Sequence, residues 1–294
     1  MTERASLLIF GLGYCGRAVA ALARAAGYRV AGTTRAGGPG ALRFDDVAMP
    51  LAEATHLLIT AAPEEGGGDP VLARYRAEIA AAPRLCWIGY LSSTGVYGDR
   101  GGEWVDETTA PRPASPRTER RVAAERAWQA FAGHCAVDVF RLAGIYGPGR
   151  SVFDDLRAGR ARRIIKPGQV FSRIHRDDIA DAVLAAMTNA PARGTRVFNL
   201  ADDEPAASAA VIEEAARLLG LPPPPAIPFA AAAPTMSAMA LSFWAENRRV
   251  RSEISKGALG LAWRYPSYRE GLAAILAEET AKGRAEQGEI GGTR

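Results

Sequence analysis

Short apolar runs alternate with amphipathic stretches through the first two thirds of the chain. At Tyr14–Ala26, apolar residues share one face of a predicted helix, and Gly27 ends it. Further helices are predicted around 71–81, 118–132 and 178–188. The apolar runs predict buried strands at Leu7–Phe10, Tyr28–Thr33, His56–Ala61, Leu85–Leu91, Val137–Leu142 and Val197–Leu200. This repeated strand–helix–strand order predicts an α/β fold with a parallel, doubly wound sheet.

The last third of the chain has a different pattern. The four prolines at Pro222–Pro225 form a stiff connector, and residues 229–277 look like helices and loops of a smaller C-terminal region. The longest uncharged stretch, Leu218–Ala245, contains too many prolines for a membrane helix. Residues 281–294 are polar and rich in glycine, which predicts a flexible end.

Composition narrows the class of protein only a little further. The 294 residues are 48% hydrophobic and 23% charged, with a formal net charge of +4, as is usual for a protein with a packed core. The basic residues are spread along the chain, which argues against a nucleic-acid-binding surface. The three cysteines form no CxxC pair and there is no HExxH segment, so neither a disulfide framework nor a metal site is expected. Because the N-terminus lacks the long apolar region of a secretory signal, we expect a cytoplasmic protein.

The strongest local motif is the glycine loop that follows the first predicted strand. Residues 11–16 read Gly-Leu-Gly-Tyr-Cys-Gly and match GxGxxG between a strand and a helix. In such a loop Gly11 permits the tight turn, Gly13 lets the backbone approach a pyrophosphate, and Gly16 lets helix and strand pack closely. Tyr14 and Cys15 stand at the helix N-terminus, whose unpaired N–H groups attract an anion. The loop predicts dinucleotide binding, the alternative being a glycine turn without a ligand.

The end of the second predicted strand bears on the choice between NAD and NADP. NAD-selective sites usually place Asp or Glu there, whereas this strand ends in Thr33, Thr34 and Arg35. Arg35 can pair with a 2′-phosphate, and the threonines can donate hydrogen bonds to it. An arginine in a solvated loop is the alternative reading. The sequence therefore favours NADP over NAD.

Three further segments accompany the glycine loop. They are Tyr90–Asp99 (YLSSTGVYGD), Phe140–Gly149 (FRLAGIYGPG), and Ile174–Ala180 (IHRDDIA) with Val197–Leu200 (VFNL) after it. In order and spacing, the chain resembles the extended short-chain dehydrogenase/reductase superfamily, of the NAD-dependent epimerase/dehydratase type. The resemblance covers about residues 6–278, nearly the whole chain.

The resemblance implies a division of the chain and several residue roles. A Rossmann domain would comprise residues 1–149 and 176–203, a substrate-side region residues 150–175 and 204–278, and a flexible tail residues 279–294. Ser93 would hydrogen-bond the reacting oxygen of the substrate, although capping of the strand end is an alternative. Asp45 would contact the adenine, and the nicotinamide side would be lined by Thr60, Ala61 and Ala62. The helix at 118–132 often pairs with its mate in this family, so a homodimer is an open expectation.

One segment departs from the pattern of the family. The reaction centre there is a Tyr followed four residues later by a Lys, in Ser-Pro-Tyr-x-x-x-Lys-x-x-x-Glu. In the matching stretch, Ser115–Glu125, these two positions hold Arg117 and Arg121. Arg121 can still hold the cofactor ribose, but a guanidinium that stays protonated cannot replace the phenol in proton transfer. Arg117 can instead clamp an anionic group of the substrate or of the cofactor.

The missing phenol leaves two functions open. Substitute proton donors would be Tyr97, Tyr146 or His175, each of which also fits a structural role. The main prediction is an NADP(H)-dependent oxidoreductase or epimerase that acts on a small hydroxy or keto compound, with NAD as the alternative cofactor. A sugar-like compound is one substrate that the resemblance implies. The other is a non-catalytic NADP(H)-binding sensor. Neither prediction involves nucleic acid or a membrane.

Overall fold

The alternating apolar runs form a seven-stranded parallel sheet with helices on both faces. The computed structural model describes the backbone of residues 4–291 and the side chains of residues 4–284. The strands are β1 Ser6–Phe10, β2 Arg29–Thr34, β3 Leu42–Arg43, β4 His56–Ile59, β5 Trp87–Ser93, β6 Trp104–Val105, β7 Ala136–Leu142, β8 Gly144–Tyr146, β9 Arg163–Ile165, β10 Arg173–His175, β11 Gly194–Leu200, β12 Ala226–Pro228 and β13 Arg249–Val250. The α-helices are α1 Tyr14–Ala25, α2 Ala48–Glu53, α3 Pro70–Ala81, α4 Pro116–Gln129, α5 Phe153–Arg157, α6 Arg176–Thr188, α7 Ser208–Leu218, α8 Phe229–Ala232, α9 Ala238–Ala245, α10 Glu253–Leu259 and α11 Tyr268–Gly291.

The central sheet has the strand order β11-β7-β5-β4-β1-β2-β3. Every neighbouring pair in it is parallel, which confirms the predicted doubly wound Rossmann fold. The chain runs outward in one direction from β1 through β2, and in the other direction from β4 through β5. The carboxyl ends of β1 and β4 therefore flank the point where ligands bind in open α/β sheets.

The strands of the central sheet are apolar on both faces, and each face forms a hydrophobic core with the helices that cover it. In β1, Leu7 and Ile9 point to the face that α1 and α6 cover. Leu8 and Phe10 point to the opposite face, which α3 and α4 cover. Strands buried on both sides read as continuous apolar runs rather than as alternating ones, which is why the sequence pattern located them well.

The remaining strands build the region beside the carboxyl edge of the sheet. They form parallel pairs, β8 with β10, β9 with β12, and β6 with β13. A separate apolar cluster there includes Phe153, Ile212 and Leu272. The pairing of β13 with β6 carries the C-terminal part of the chain back to the loop that follows β5. The domain boundaries given above stay a prediction.

The C-terminal segment is helical over most of its length. The helix α11 continues through residues 279–291 of the segment that we expected to form a flexible tail, and residues 292–294 lie outside the described part of the chain. Within residues 4–291, no helix combines the length and the apolar character that crossing a membrane requires.

Candidate functional site

The three glycines of the loop after β1 occupy three different environments. Gly11 has φ of +108°, where residues with a side chain are strained. A Cβ atom at Gly16 would come closer than 3.0 Å to the carbonyl oxygen of Gly11, so only glycine lets α1 approach the turn this closely. Across the switch point, the hydroxyl of Thr60 donates to the Gly11 carbonyl oxygen at 2.6 Å. The loop is thus held from both sides.

Gly13 differs from the other two because its surroundings are open. It caps α1 with φ of −80°, and no heavy atom lies within 4 Å of the position a Cβ atom would take. The first turn of α1 carries no acidic residue, and no side chain caps its N–H groups. A helix N-terminus with free N–H groups and open space in front of it attracts an anion. The geometry therefore fits the pyrophosphate of a dinucleotide.

Two arginines from distant segments lie beside this helix N-terminus. The Tyr14 hydroxyl donates to the Pro148 carbonyl oxygen at 3.0 Å, which ties α1 to the loop after β8. The guanidinium carbons of Arg150 and Arg176 lie 5.7 and 5.1 Å from the centre of the Tyr14 ring. Sequence reasoning gave neither a role at this site, although Arg150 directly follows one motif used for the resemblance and Arg176 lies within another. Arg150 adds positive charge where the helix N-terminus is already positive, whereas Arg176 forms an ion pair with Asp177 at 2.9 Å.

The neighbouring Cys15 does not take part in ligand binding through its side chain. Its side chain is buried at the start of α1, and burial raises the pKa of its thiol to about 11. A thiol of that pKa stays protonated at neutral pH and is unreactive. Cys15 therefore packs α1 against the core.

The residues predicted to set cofactor selectivity lie at the end of β2, and Asp45, predicted to contact the adenine, lies just beyond β3. Arg35 is exposed and has no hydrogen-bond or ion-pair partner among the residues that the structure describes. The Thr34 hydroxyl donates to the Gly37 carbonyl oxygen at 2.9 Å, and the buried Thr33 hydroxyl accepts from the Gly11 amide at 3.3 Å. Asp45 is exposed. Arg35 is thus the free charged donor at this edge, while the threonines shape the turn.

Ser93 ends β5 and faces a cavity. Its hydroxyl oxygen accepts from the Gly95 amide at 3.1 Å, so the capping role considered above is present. The hydroxyl proton has no acceptor among the described residues and is available to a ligand. The cavity has a volume of about 300 Å³ and is lined by residues that include Ser93, Arg117, Tyr146, Phe171 and Arg248. Ala61 and Ala62 follow β4 on the same edge of the sheet but are not among the residues that line it.

The two arginines at the Tyr and Lys positions of α4 are placed differently. Arg117, in the first turn, is exposed and lines the cavity. Its guanidinium carbon lies 5.0 Å from the centre of the Phe243 ring. Arg121 lies along β5 instead, where its Nη1 donates to the Tyr90 hydroxyl at 2.9 Å and to the Leu91 carbonyl oxygen at 3.1 Å. The structure therefore brings Arg117, but not Arg121, to the cavity of Ser93.

A further arginine, Arg248, also lines this cavity. Arg248 precedes β13, and its side chain is only 16% exposed. Its Nη1 donates to the Gly98 carbonyl oxygen at 3.0 Å and to Glu246 at 2.6 Å. The pairing of β13 with β6 explains this position, and no local sequence signal reports a contact over that separation.

The three substitute proton donors have their polar atoms engaged or buried. The Tyr97 hydroxyl accepts from Arg141 at 3.0 Å and donates to Asn199 at 2.8 Å, and burial raises the pKa of Tyr97. The Tyr146 hydroxyl donates to the Ser267 carbonyl oxygen at 3.2 Å. His175 is buried, which lowers its pKa to about 4. None of the three presents a free proton to the cavity.

The chain is similar to several known proteins, although no protein-family model matches it. Protein YeeZ from Escherichia coli K12 is 32% identical over 238 residues, which are 74% of this chain and 84% of that protein. A solved structure of a functionally unknown conserved protein from Silicibacter pomeroyi is 47% identical, covers 93% of this chain and 99% of its own, and has a TM-score of 0.86. The human epimerase family protein SDR39U1, solved with NADPH, is 19% identical with a TM-score of 0.76 and covers 92% and 98%. This last likeness is one of fold.

Proposed function

Because the chain belongs to the short-chain dehydrogenase/reductase superfamily, as an atypical protein of the NAD-dependent epimerase/dehydratase type, we propose that it binds NADP(H) and is an oxidoreductase or epimerase acting on a small hydroxy or keto compound. One observation carries this proposal. The glycine loop and the Ser93 cavity lie at the carboxyl ends of β1 and β5, on the same edge of one parallel sheet, with the switch point between β1 and β4. That edge is where such sheets bind their ligands.

The cofactor would be held by the glycine loop and by charges around it. The open position at Gly13 and the N–H groups of α1 would bind the pyrophosphate, with Arg150 and Arg176 beside them. Arg35, which has no partner among the residues that the structure describes, would pair with a 2′-phosphate, and this supports NADP over NAD. When bound, a nicotinamide dinucleotide supplies the acceptor or donor of a hydride. The human structure of similar fold was solved with NADPH, which supports a nicotinamide dinucleotide at this site.

The substrate side would depend on Ser93 and on the arginines of the cavity. The free hydroxyl proton of Ser93 would be donated to the reacting oxygen and would polarise it. Arg121 would stiffen the end of β5 through Leu91 and Tyr90 and would reach the cofactor ribose only by leaving these acceptors. A water molecule beside Ser93 is the proton carrier that best fits the cavity, because the protein groups considered above are engaged elsewhere.

That none of Tyr97, Tyr146 and His175 offers a free proton to the cavity favours a second candidate function. A protein that binds NADP(H) without turnover needs the glycine loop but no acid. Tyr97, Tyr146 and His175 are all engaged or buried, and Arg117 stands at the position of the phenol. A non-catalytic sensor of the NADP(H) state is therefore the alternative to an enzyme.

Absorbance of NADPH, followed with a panel of aldehydes, ketones and keto-sugars, separates the two functions. For an enzyme, the wild-type protein oxidises NADPH with part of the panel, and Ser93→Ala lowers kcat by about 10²-fold or more, as the loss of one oxyanion donor does. For a sensor, NADPH binds to the wild-type protein and to Ser93→Ala, but neither protein oxidises it. The double variant Arg117→Tyr with Arg121→Lys restores the pattern of the family and should then gain activity. Wild-type turnover that is indifferent to Ser93→Ala would contradict the proposed site.

A further inference from the structure

We propose that the cavity beside Ser93 takes a small molecule with an anionic group on an apolar body, and that Arg117 and Arg248 bind the anion. The inference rests on the proposed function only for the statement that the molecule reacts at an oxygen held by Ser93. The binding of the anion itself follows from the charges, the geometry and the walls of the cavity.

The cavity has more positive than negative side chains. Arg117, Arg173 and Arg248 line it, whereas Glu246 is the carboxylate among its lining residues. Glu246 forms an ion pair with Arg248 at 2.6 Å. Neither Arg117 nor Arg173 forms an ion pair within the described part of the chain. Uncompensated guanidinium groups at a partly enclosed site raise the local concentration of anions.

Arg173 does not contribute as freely as the other two. Its Nη1 donates to the carbonyl oxygens of Phe171 and Ala206 at 2.8 and 3.0 Å, so its head is held at the back of the cavity. The nearby carboxyl of Asp202 makes no hydrogen bond, and burial raises its pKa to about 8. Burial thus favours the neutral form of Asp202, which leaves the positive charge of the cavity in place.

Arg117 and Arg248 approach the Ser93 turn from different elements. Arg117 belongs to the first turn of α4. The Nη2 atom of Arg248 lies 4.0 Å from the position of a Cβ atom at Gly95, whose amide donates to Ser93. While Nη1 of Arg248 is engaged, Nη2 has no hydrogen bond within the described residues. Two guanidinium groups with free N–H donors thus stand near the hydroxyl that would hold the reacting oxygen.

The walls between these groups are apolar. They include Leu142, Ile145, Val170, Phe171, Phe243 and Val250. Phe243 is 49% exposed on α9 and lies against Arg117, so a flat apolar ligand would cover a ring that is now open to water. A volume of about 300 Å³ is at the lower end for ligand sites, which fits one small molecule.

Calorimetric titration of probe compounds into the protein, with NADP⁺ present, tests the inference without requiring turnover. Benzoate and phenyl phosphate carry the two common anionic groups on the same ring, and benzyl alcohol is their neutral counterpart. We expect at least one anion to bind about tenfold or more tightly than benzyl alcohol, a difference of about 1.4 kcal/mol. Whichever anion binds better identifies the group as carboxylate or phosphate.

Three variants assign the anion to its residues. Arg117→Gln and Arg248→Gln should each lower the affinity for the preferred anion about tenfold, the effect of one charge-assisted hydrogen bond, and leave that for benzyl alcohol unchanged. Arg120→Gln removes the same charge from α4 at a residue that does not line the cavity and is the matched control. An equal loss in Arg120→Gln would show a general charge effect and overturn the inference.

The experiments distinguish a failure of the anion site from a failure of the proposed enzymatic function. If benzyl alcohol binds as well as both anions, or no anion binds at millimolar concentration, the inference is wrong even where aldehydes are reduced. If an anion binds in a manner that depends on Arg117 but no compound of the panel is turned over, the anion site stands and the enzymatic function falls. Binding of the anion with no binding of NADP⁺ would likewise leave the inference intact and contradict the cofactor assignment.

Discussion

Valine in place of Gly13 should abolish dinucleotide binding while the protein still folds. The φ of −80° at Gly13 suits any residue, and no heavy atom lies within 4 Å of a Cβ atom there. The substitution therefore meets open space rather than protein. That space lies directly in front of the first-turn N–H groups of α1, where the pyrophosphate would have to enter.

The magnitude follows from the interactions that the side chain displaces. A hydrogen bond to a charged group is worth about 1.5–3 kcal/mol. Moving the pyrophosphate away from two N–H groups would cost about 3 kcal/mol or more, so Kd should rise more than about a hundredfold. The cost to folding is about 1 kcal/mol, which is typical of replacing a favoured N-cap residue by an apolar one.

Gly16→Ala provides the matched control in the same loop. Its methyl group would come closer than 3.0 Å to the Gly11 carbonyl oxygen, and the backbone there cannot yield without moving the turn. Such overpacking costs about 1–3 kcal/mol of stability. We therefore expect Gly16→Ala to lower the melting temperature in the absence of cofactor, whereas Gly13→Val lowers it much less.

Titration with NADPH, followed by nicotinamide fluorescence, and thermal unfolding without cofactor together distinguish the two effects. Wild-type affinity in Gly13→Val would refute the assignment of the loop to the pyrophosphate. An unchanged melting temperature in Gly16→Ala would refute the close approach of α1 to the turn.

Three further substitutions test the charges around the fold. Arg35→Ala should lower the affinity for NADPH about tenfold or more and leave that for NADH unchanged, since one charge-assisted pair is worth about 1.5–3 kcal/mol. Arg150→Gln should lower the affinity for both cofactors. If Arg35→Ala lowers both affinities equally, the NADP assignment is wrong. Asp202→Asn should stabilise the protein more at about pH 8 than at about pH 5. Burial raises the pKa of Asp202 from 3.8 to about 8, so wild-type stability is lost as pH rises through this window. Urea denaturation at both pH values checks this, and an equal effect at both would show that Asp202 ionises normally.

The sequence predicted the Rossmann half of the fold well because its signals are local. The apolar runs at β1, β4 and β7 are buried on both faces, and the helices between them begin at residues that prefer such places. Ser115, for example, caps α4 in a capping box with Thr118. The glycine loop was equally readable, because Gly11 and Gly16 are required by the geometry of the turn and by the close approach of α1, while Gly13 keeps the space in front of α1 open.

The residues that line the cavity could not be predicted from local sequence signals. Arg248 reaches the Ser93 turn only because β13 pairs with β6, about 145 residues earlier in the chain. Arg150 and Arg176 meet over the Tyr14 ring for a similar reason. In a chain with 36 basic residues, no pattern marks which arginines the tertiary fold will gather.

The residue of the site that departs from the family pattern, Arg117, lies apart from the buried polar network that stabilises the end of β5. Beneath Ser93, Glu125 accepts from the Ser92 hydroxyl at 2.5 Å and pairs with Arg141 at 2.8 Å. All three residues of this network are buried, and removing one partner of such a pair costs about 3–5 kcal/mol.

Arg117, by contrast, is exposed and touches Phe243 at the edge of the cavity, so a change there costs little stability. The matching stretch on α4 can therefore keep its structural glutamate and exchange its phenol for a guanidinium without loosening the end of β5. What changes is the chemistry offered to the ligand, from a proton donor to a fixed positive charge. For this reason we expect substitutions at Arg117 to alter ligand choice and turnover while the melting temperature stays close to that of the wild-type protein.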